Sequence, residues 1–392
     1  MRVYENPLLK LNVAVHDGKV QLDSEGALSL PAKPILKKIN RVFADEKPIF
    51  SGGDELIFST WIPPIPGKAF DRMISAEIAA LLKKRVPDQT SIGITMRCPN
   101  NCIHCGASDV TGGEELSRSE IEGVIDLALD LGTYLISFDG GEPMMRDDLP
   151  QMASYVDKEK AIATSFTSGY GLSESMACAL KNAGMYAVRV SLDGVDASSH
   201  DRMRGRTGAF ADAISGIKNA LEAKLLVDMF VVVSPENIDC LDDFYSLGCN
   251  LGVHEISLYE IIAVGRWMDH EDEVITENDV RRITNFQKSI NRESDGPRVT
   301  AFPYFMGPAL FGCFAGRRWV HVTATGDVLP CAYTPLSFGN VRSEPLEVIW
   351  KRIGGHQAYK GSADYCMMRN LEFRERWIHS IPDGAEMPYR VR

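Results

Sequence analysis

The sequence has no apolar run approaching the roughly 20 residues that a membrane-spanning helix needs. Its opening residues, Met1-Arg2-Val3-Tyr4-Glu5-Asn6, lack the apolar stretch of a secretory signal. The expectation is a cytoplasmic protein with no membrane span. Blocks of like charge are missing too. A net charge of −11 is spread along 392 residues, which speaks against a nucleic-acid partner, since phosphate binding needs a basic face. A local basic site is still available, as in the run Arg202-Met203-Arg204-Gly205-Arg206. Cysteine is scarce: nine residues, an odd number. That count does not suit a disulfide framework and fits metal ligation better.

Three of the nine cysteines stand together in Arg97-Cys98-Pro99-Asn100-Asn101-Cys102-Ile103-His104-Cys105. They follow the strand-like run Ser91-Ile92-Gly93-Ile94-Thr95. Thiolates this close can converge on one soft-metal centre: an iron–sulfur cluster, zinc or copper(I). With no obvious fourth cysteine, a cluster with one open iron fits better than a closed zinc site. The competing reading is three buried core residues or a zinc knuckle. One strand later comes Asp139-Gly140-Gly141-Glu142-Pro143. Its paired glycines allow close backbone approach, and its acid can accept from an amino group.

C-x3-C-x2-C after a first strand, followed by Gly-Gly-Glu-Pro, resembles the radical S-adenosylmethionine (radical SAM) superfamily. The resemblance implies that Cys98, Cys102 and Cys105 hold a [4Fe-4S] cluster whose open iron binds SAM. It further implies that the Gly140, Gly141, Glu142, Pro143 loop carries the SAM methionyl amine.

From residue 90 the chain alternates strands and helices. The pattern places strands at 90–95, 134–138, 161–166, 186–192, 227–233 and 255–259. Helices are expected near 171–183, 208–223, 239–249 and 276–291. A further helix should open at Ser117 with a capping box to Glu120 and stop at Gly132. Six repeats imply a parallel sheet with right-handed crossovers. Periodicity alone does not separate an open sheet from a barrel. The resemblance implies the barrel: an α/β fold with a partial (β/α)6 TIM-like radical SAM barrel over 89–297. Before it, residues 1–88 form an α+β preface or cap, with a hairpin around Asp17-Gly18 and a strand over 56–62. After it come a small module over 298–370, of β-hairpin and helix, and a tail over 371–392.

Strand ends supply the other candidates. Ser168 ends the third strand where many relatives carry asparagine. Ser191 and Asp193 end the fourth strand, offering a hydroxyl and a carboxylate to SAM. Arg204 resembles a family arginine that contacts the SAM carboxylate, a task suited to a guanidinium fork. Glu260, Arg266 and Trp267 follow the sixth strand, facing the substrate or forming a surface turn.

In the C-terminal module, Val320-His321-Val322-Thr323 and Asp327-Val328-Leu329 alternate around Gly326 like a hairpin. The phrase Thr325-Gly326-Asp327-Val328-Leu329-Pro330-Cys331 resembles SPASM and twitch modules, which hold auxiliary iron–sulfur clusters. The full SPASM pattern has more cysteines. This chain is therefore assigned one auxiliary [4Fe-4S] cluster on Cys313, Cys331 and Cys366, with a non-cysteine fourth ligand. The competing reading is a module with no cluster and three packing cysteines.

Together these features imply an enzyme that cleaves SAM reductively to a 5′-deoxyadenosyl radical and abstracts a substrate hydrogen. The partners expected are a peptide or protein substrate, oxidatively modified, and an electron donor such as ferredoxin or flavodoxin. One alternative is oxidation or decarboxylation of a small molecule or tetrapyrrole. Another, of a different class, is a non-catalytic iron–sulfur carrier or scaffold.

Overall fold

The computed structural model describes residues 1–16, 19–53, 55–108, 113–308 and 310–391. The Asp17-Gly18 turn lies outside the described residues. The strands that flank it are paired as expected. β1 (Arg2–Glu5), β2 (Lys10–His16) and β3 (Lys19–Glu25) form an antiparallel sheet. A helix, Ser29–Phe43, packs on it, and the Asn40 side chain bonds both the N–H and the C=O of Leu22 at 2.8 Å. A short hairpin follows, β4 (Phe50–Gly52) and β5 (Glu55–Ile57).

The expected strand over 56–62 ends early. After β5 the chain turns inward, because Ser59, Thr60 and Trp61 find buried partners in the barrel. Ser59 Oγ donates to Glu255 Oε1 at 2.8 Å, and Thr60 N to Glu255 Oε2 at 2.7 Å. Trp61 Nε1 lies 3.2 Å from Asp228 Oδ2, and its ring sits 3.6 Å from the Arg189 guanidinium.

One nine-stranded sheet organises the remainder. Its seven consecutive parallel strands are β6 (Gln89–Thr95), β7 (Leu135–Gly140), β8 (Ile162–Thr167), β9 (Met185–Ser191), β10 (Leu226–Val233), β11 (Glu255–Glu260) and β12 (Arg298–Ala301). β13 (Trp319–Val322) pairs parallel to β6 on the other edge and antiparallel to β14 (Val328–Leu329). The six expected strands are β6 to β11. The sheet itself runs on past residue 297 into β12, and β13 brings the C-terminal module onto it.

Helices cover the outer face. Ile121, Val124, Ile125, Ala128 and Leu129 of the helix Arg118–Leu131 are buried against the strands. That helix starts with the Ser117–Glu120 capping box and ends at Gly132 in the left-handed region, φ 107°. Two short helices were not legible in the pattern, Leu149–Tyr155 and Ala197–Arg204. The second is polar throughout its exposed face, so it carries little apolar periodicity.

Near the strand starts, Arg189, Asp228, Glu255 and Arg298 are register neighbours on β9 to β12 and are buried. This charged layer is where the 59–61 segment docks. Farther along the strands an aromatic layer of Trp61, Phe166, Phe230, Tyr259, Phe302 and Tyr333 follows. The cavity that holds the candidate site lies above it, at the C-terminal strand ends.

Candidate active site

The cysteine loop leaves β6 and is clamped from three directions. From the loop after β7, Glu142 N donates to Arg97 O at 2.8 Å and Gly141 N to Thr95 O at 2.7 Å. From the helix after β9, Met203 O and Arg204 O accept from Ile103 N and Asn101 N at 3.0 Å. From the segment after β11, Arg266 N donates to Cys105 O at 3.1 Å, and Arg266 Nη1 to Cys102 O at 3.0 Å. Two glycines are required by this close packing. A Cβ on Gly141 would stand 2.3 Å from Arg97 O, and one on Gly265 2.1 Å from Cys105 O. Gly265 also has φ +54°, in the left-handed region.

The thiols of Cys98, Cys102 and Cys105 line a cavity of about 420 Å³ together with Gly140, Gly141, Pro143, Ser168, Ser191 and Arg204. Glu142 and Asp193 stand behind this wall. The Glu142 carboxylate, buried, accepts from Ser168 N at 2.7 Å, Ser168 Oγ at 2.5 Å, Thr167 Oγ1 at 2.7 Å and Met144 N at 3.1 Å. Burial raises its pKa, and these donors work against that rise. Its work is thus to tie the end of β8 to the loop after β7.

Asp193 is equally buried and meets a guanidinium and an imidazole beside the cysteine loop. Arg204 Nη2 lies 2.7 Å and His104 Nε2 3.3 Å from its Oδ2. Burial alone would raise its pKa, but Arg204 and His104 outweigh burial and hold the carboxyl well below the usual range. Arg204 also reaches Cys102 Sγ at 3.7 Å.

Do these residues fit an iron–sulfur cluster with a bound SAM? The three cysteines are free of disulfides and open onto one cavity. Beside them Arg204 Nε and His104 Nδ1 are buried without a hydrogen-bond partner among the described residues, which are polar atoms a bound group would satisfy. Among the described residues no three His, Cys, Asp or Glu side chains close around one metal ion. Thiolates of a four-iron cluster each meet a different iron, so single-ion geometry is not what the cluster requires. The donor set fits.

The second cysteine set is separate from the cavity. Cys313, Cys331 and Cys366 are all buried; Cys313 raises the pKa of Cys331, and Cys313 and Cys331 raise that of Cys366. Burial, reinforced by Cys313, pushes the Cys331 thiol up to about 12, and burial raises Cys313 and Cys366 as well. Metal loading there has to displace protons. Tyr259 and Tyr333 line the cavity, their rings 6.2 Å apart between centroids, and Tyr333 follows Cys331 by two residues.

At the end of β11, Glu260 pairs with Arg369 and is buried. Arg266 lines the cavity, while Trp267 stacks on His270 at 4.2 Å. Cys178, Cys240 and Cys249 lie elsewhere and are not brought to either group.

Sequence reasoning missed a polar cluster on the cavity wall. Trp319 Nε1 donates to Ser91 Oγ at 2.8 Å, Ser91 Oγ meets His321 Nδ1 at 2.8 Å, and His321 Nδ1 stands 3.7 Å from Asp139 Oδ2. Asp139 Oδ1 is buried and has no partner among the described residues. Burial pushes Asp139 up to about 7 and His321 down to about 4. Ser91 and His321 are neighbours only through β6–β13 pairing, a contact across more than two hundred residues that no local motif encodes.

Comparison with known proteins agrees with this geometry. A model of the radical SAM superfamily matches residues 92–248, and one of the SPASM iron–sulfur cluster-binding domain matches 313–369. Fe-coproporphyrin III synthase of Methanosarcina barkeri is 33% identical over 294 residues, 66% of this chain and 72% of that protein. AdoMet-dependent heme synthase of Nitratidesulfovibrio vulgaris is 27% identical over 69% of this chain and 81% of its own. PqqA peptide cyclase of Rhizobium meliloti is 29% identical over 73% and 80%. Among solved structures, Streptococcus suis SuiB bound to precursor peptide SuiA superposes with a TM-score of 0.59 at 15% identity, covering 95% of this chain and 91% of that one. Among the described residues no helix is long and apolar enough to cross a membrane. A SAM-type cysteine loop at the strand ends and an iron–sulfur module closing the same sheet leave one assignment: the chain is an enzyme of the radical SAM superfamily, with a C-terminal SPASM domain, and its cofactors are [4Fe-4S] clusters and SAM.

Proposed function

We propose that this enzyme oxidises a side chain of a peptide or protein, holding its first cluster on Cys98, Cys102 and Cys105 and an auxiliary cluster on Cys313, Cys331 and Cys366. The observation that supports the reading is the cavity itself, lined by the first cysteines and by Tyr259 and Tyr333, with Cys331 two residues before Tyr333. When bound, the first cluster and SAM supply hydrogen-atom abstraction from an unactivated carbon.

The chain's own residues then have definable tasks. Arg204, Ser168 and Ser191 line the wall beside the cysteine loop and would orient SAM. Phe166, Phe230, Tyr259 and Tyr333 keep water from the reacting carbon. Loss of a hydrogen atom and then an electron from a substrate C–H leaves one proton to be taken up where that carbon bears a hydroxyl or amine. Asp139 Oδ1, unpartnered and near neutrality in its pKa, is placed to receive it. At about 420 Å³ the cavity is of single-ligand size. With SAM inside, the room left suits one protruding side chain. The electron donor would be a ferredoxin or flavodoxin, and the compartment the cytoplasm. The segments 1–88, 89–297, 298–370 and 371–392 are proposed as preface, barrel, auxiliary module and tail.

A second reading, oxidation of a tetrapyrrole side chain, is favoured by the 33% identity to Fe-coproporphyrin III synthase. Asn40 favours it too, because it occupies the β3 edge at Leu22, a place where a peptide would otherwise add as a strand. Anaerobic turnover with SAM and a strong reductant separates the two. Peptides and coproporphyrin, each deuterated at side-chain carbons, are offered in parallel. Deuterium in 5′-deoxyadenosine from the peptide arm supports the first reading, and from the porphyrin arm alone the second. No 5′-deoxyadenosine in any arm overturns both and revives the carrier.

A further inference from the structure

Among the described residues that line the cavity, Asp139 is the one carboxylate, and 17% of its side chain is exposed. No lysine or arginine among the described residues pairs with it. The imidazole of His321 stands 3.7 Å away, Nδ1 to Oδ2, but burial pushes its pKa down to about 4, so it is no counter-ion near neutrality. Asp139 Oδ1 has no hydrogen-bond partner among the described residues. The two arginines of the cavity wall are committed elsewhere, Arg204 to Asp193 at 2.7 Å and Arg266 to Cys102 O at 3.0 Å. A carboxylate so enclosed is stable only with a proton or a cation beside it.

The rest of that wall is aromatic. Trp319, held by Ser91 Oγ at 2.8 Å in the same cluster as Asp139, meets the Tyr333 ring edge-on at 5.6 Å. From Tyr333 the row continues to Tyr259 at 6.2 Å, Phe230 at 5.0 Å and Phe166 at 5.0 Å, and all five rings line the cavity. Ring faces beside one unpaired carboxylate are the chemistry that holds an organic cation, since the π faces attract it and the carboxylate neutralises it. We infer that Asp139 and this aromatic row form a subsite for a cationic side chain of the substrate, an ammonium or a guanidinium. The inference rests on the reading of this cavity as the site of a peptide substrate, and it narrows that peptide to one presenting a basic residue. An incoming cation would draw Asp139 into its ionised form. An anionic side chain such as a propionate would meet like charge there, which sets the subsite apart from the tetrapyrrole reading. The competing occupant is the SAM amine, because the Glu142 oxygens are already filled by Thr167, Ser168 and Met144.

The test uses the full chain, reconstituted anaerobically and saturated with SAM, without reductant. The probes are n-butylammonium, n-butylguanidinium, 1-butanol and butyrate, titrated by ligand-observed NMR. Wild type should bind the cations more tightly than butanol by about tenfold or more, the order that a cation–π contact and an ion pair supply. Butyrate should bind least. Whichever cation binds more tightly assigns the lysine-type or the arginine-type side chain, and either order supports the subsite. Asp139→Asn should abolish the preference while its iron content and SAM affinity stay at wild-type values, which also shows that the variant has folded. Equal affinities for butylammonium and butanol in wild type overturn the inference without any variant. A cation preference retained by Asp139→Asn overturns it as well. So does a loss of SAM affinity in that variant, which gives the carboxylate to the SAM amine. A preference that depends on Asp139, with no 5′-deoxyadenosine formed from lysine or arginine peptides under reductant, leaves the subsite standing and removes the peptide-oxidation reading.

Discussion

Arg204 and Asp193 form a buried ion pair, Nη2 to Oδ2 at 2.7 Å, beside the central cysteine of the SAM loop. The arginine therefore has two employments, one toward Asp193 and one toward Cys102 Sγ. Removing one partner of a buried pair leaves an uncompensated charge and costs about 3–5 kcal/mol. Arg204→Met is expected to lower stability by that order and to weaken iron retention at the first site. Thermal unfolding and iron quantitation check it. The pH dependence follows from Asp193. Its pKa is held down in the folded state, so its stabilisation is present above the unfolded aspartate value near 4 and is lost as pH falls below it. In Asp193→Asn this acid-side loss should shrink.

A second prediction concerns Gly265. The added methyl of Gly265→Ala meets the Cys105 carbonyl at 2.1 Å, a contact with backbone that cannot swing away. The cysteine loop or the segment after β11 has to shift. Reconstituted wild type should hold roughly eight irons and the variant roughly four, with the auxiliary signal intact. Full iron loading and normal SAM cleavage in Gly265→Ala would show that the clamp does not position the loop.

These clamps also mark how far the sequence could be read. The spacing Cys98, Cys102, Cys105 and the Gly140-Gly141-Glu142 loop are local patterns, and strand alternation placed β6 to β11 within a few residues. What such patterns do not carry is partner identity. Glu142 looks like an acid for a ligand amine, yet its oxygens are taken by Thr167, Ser168 and Met144. Arg266 reads as facing the substrate or as part of a surface turn; it lines the cavity and also clamps the cysteine loop. His321 reads as one residue of a hairpin, and only the β6–β13 pairing makes it a neighbour of Ser91 and Asp139. Each of these depends on contacts between distant segments, which the hydrophobic period of a single segment does not encode.

Asp139 yields a prediction with a clear sign. Its folded pKa, about 7, lies above the ordinary value of 3.8. The native state thus prefers the protonated acid, and stability falls as pH rises from about 4 to 7. Asp139→Asn removes this penalty. Its stability relative to wild type should grow across that window, by at most about 4 kcal/mol. If Asp139 receives the substrate proton, turnover of the wild type should rise with an inflection near 7, and the variant should lose that inflection while still forming 5′-deoxyadenosine. A wild-type profile that is flat from pH 6 to 8 would remove Asp139 from that role.

The preface gives the last prediction. If residues 1–88 were a detachable recognition module, deleting them would leave a soluble barrel that still cleaves SAM. The contacts argue otherwise. Residues 59–61 satisfy the charged layer at the strand starts: Glu255 accepts from Ser59 and Thr60, Asp228 from Trp61, and the Arg189 guanidinium donates to Thr60 O at 2.9 Å. Glu46 adds a buried ion pair with Arg298 at 2.5 Å. Without these partners two arginines and two carboxylates would face water through an open barrel end, or one another in a layer with imperfect pairing. Trp61→Ala isolates the effect without truncation. It removes the ring over Arg189, a bond to Asp228 and the edge contact with Phe302 at 4.6 Å, and large-to-small changes of this kind cost about 3–5 kcal/mol. Chemical denaturation of Trp61→Ala should show a loss of that order, and deletion of 1–88 should yield protein that does not fold. A deletion that stays folded, binds iron and cleaves SAM would restore the detachable module.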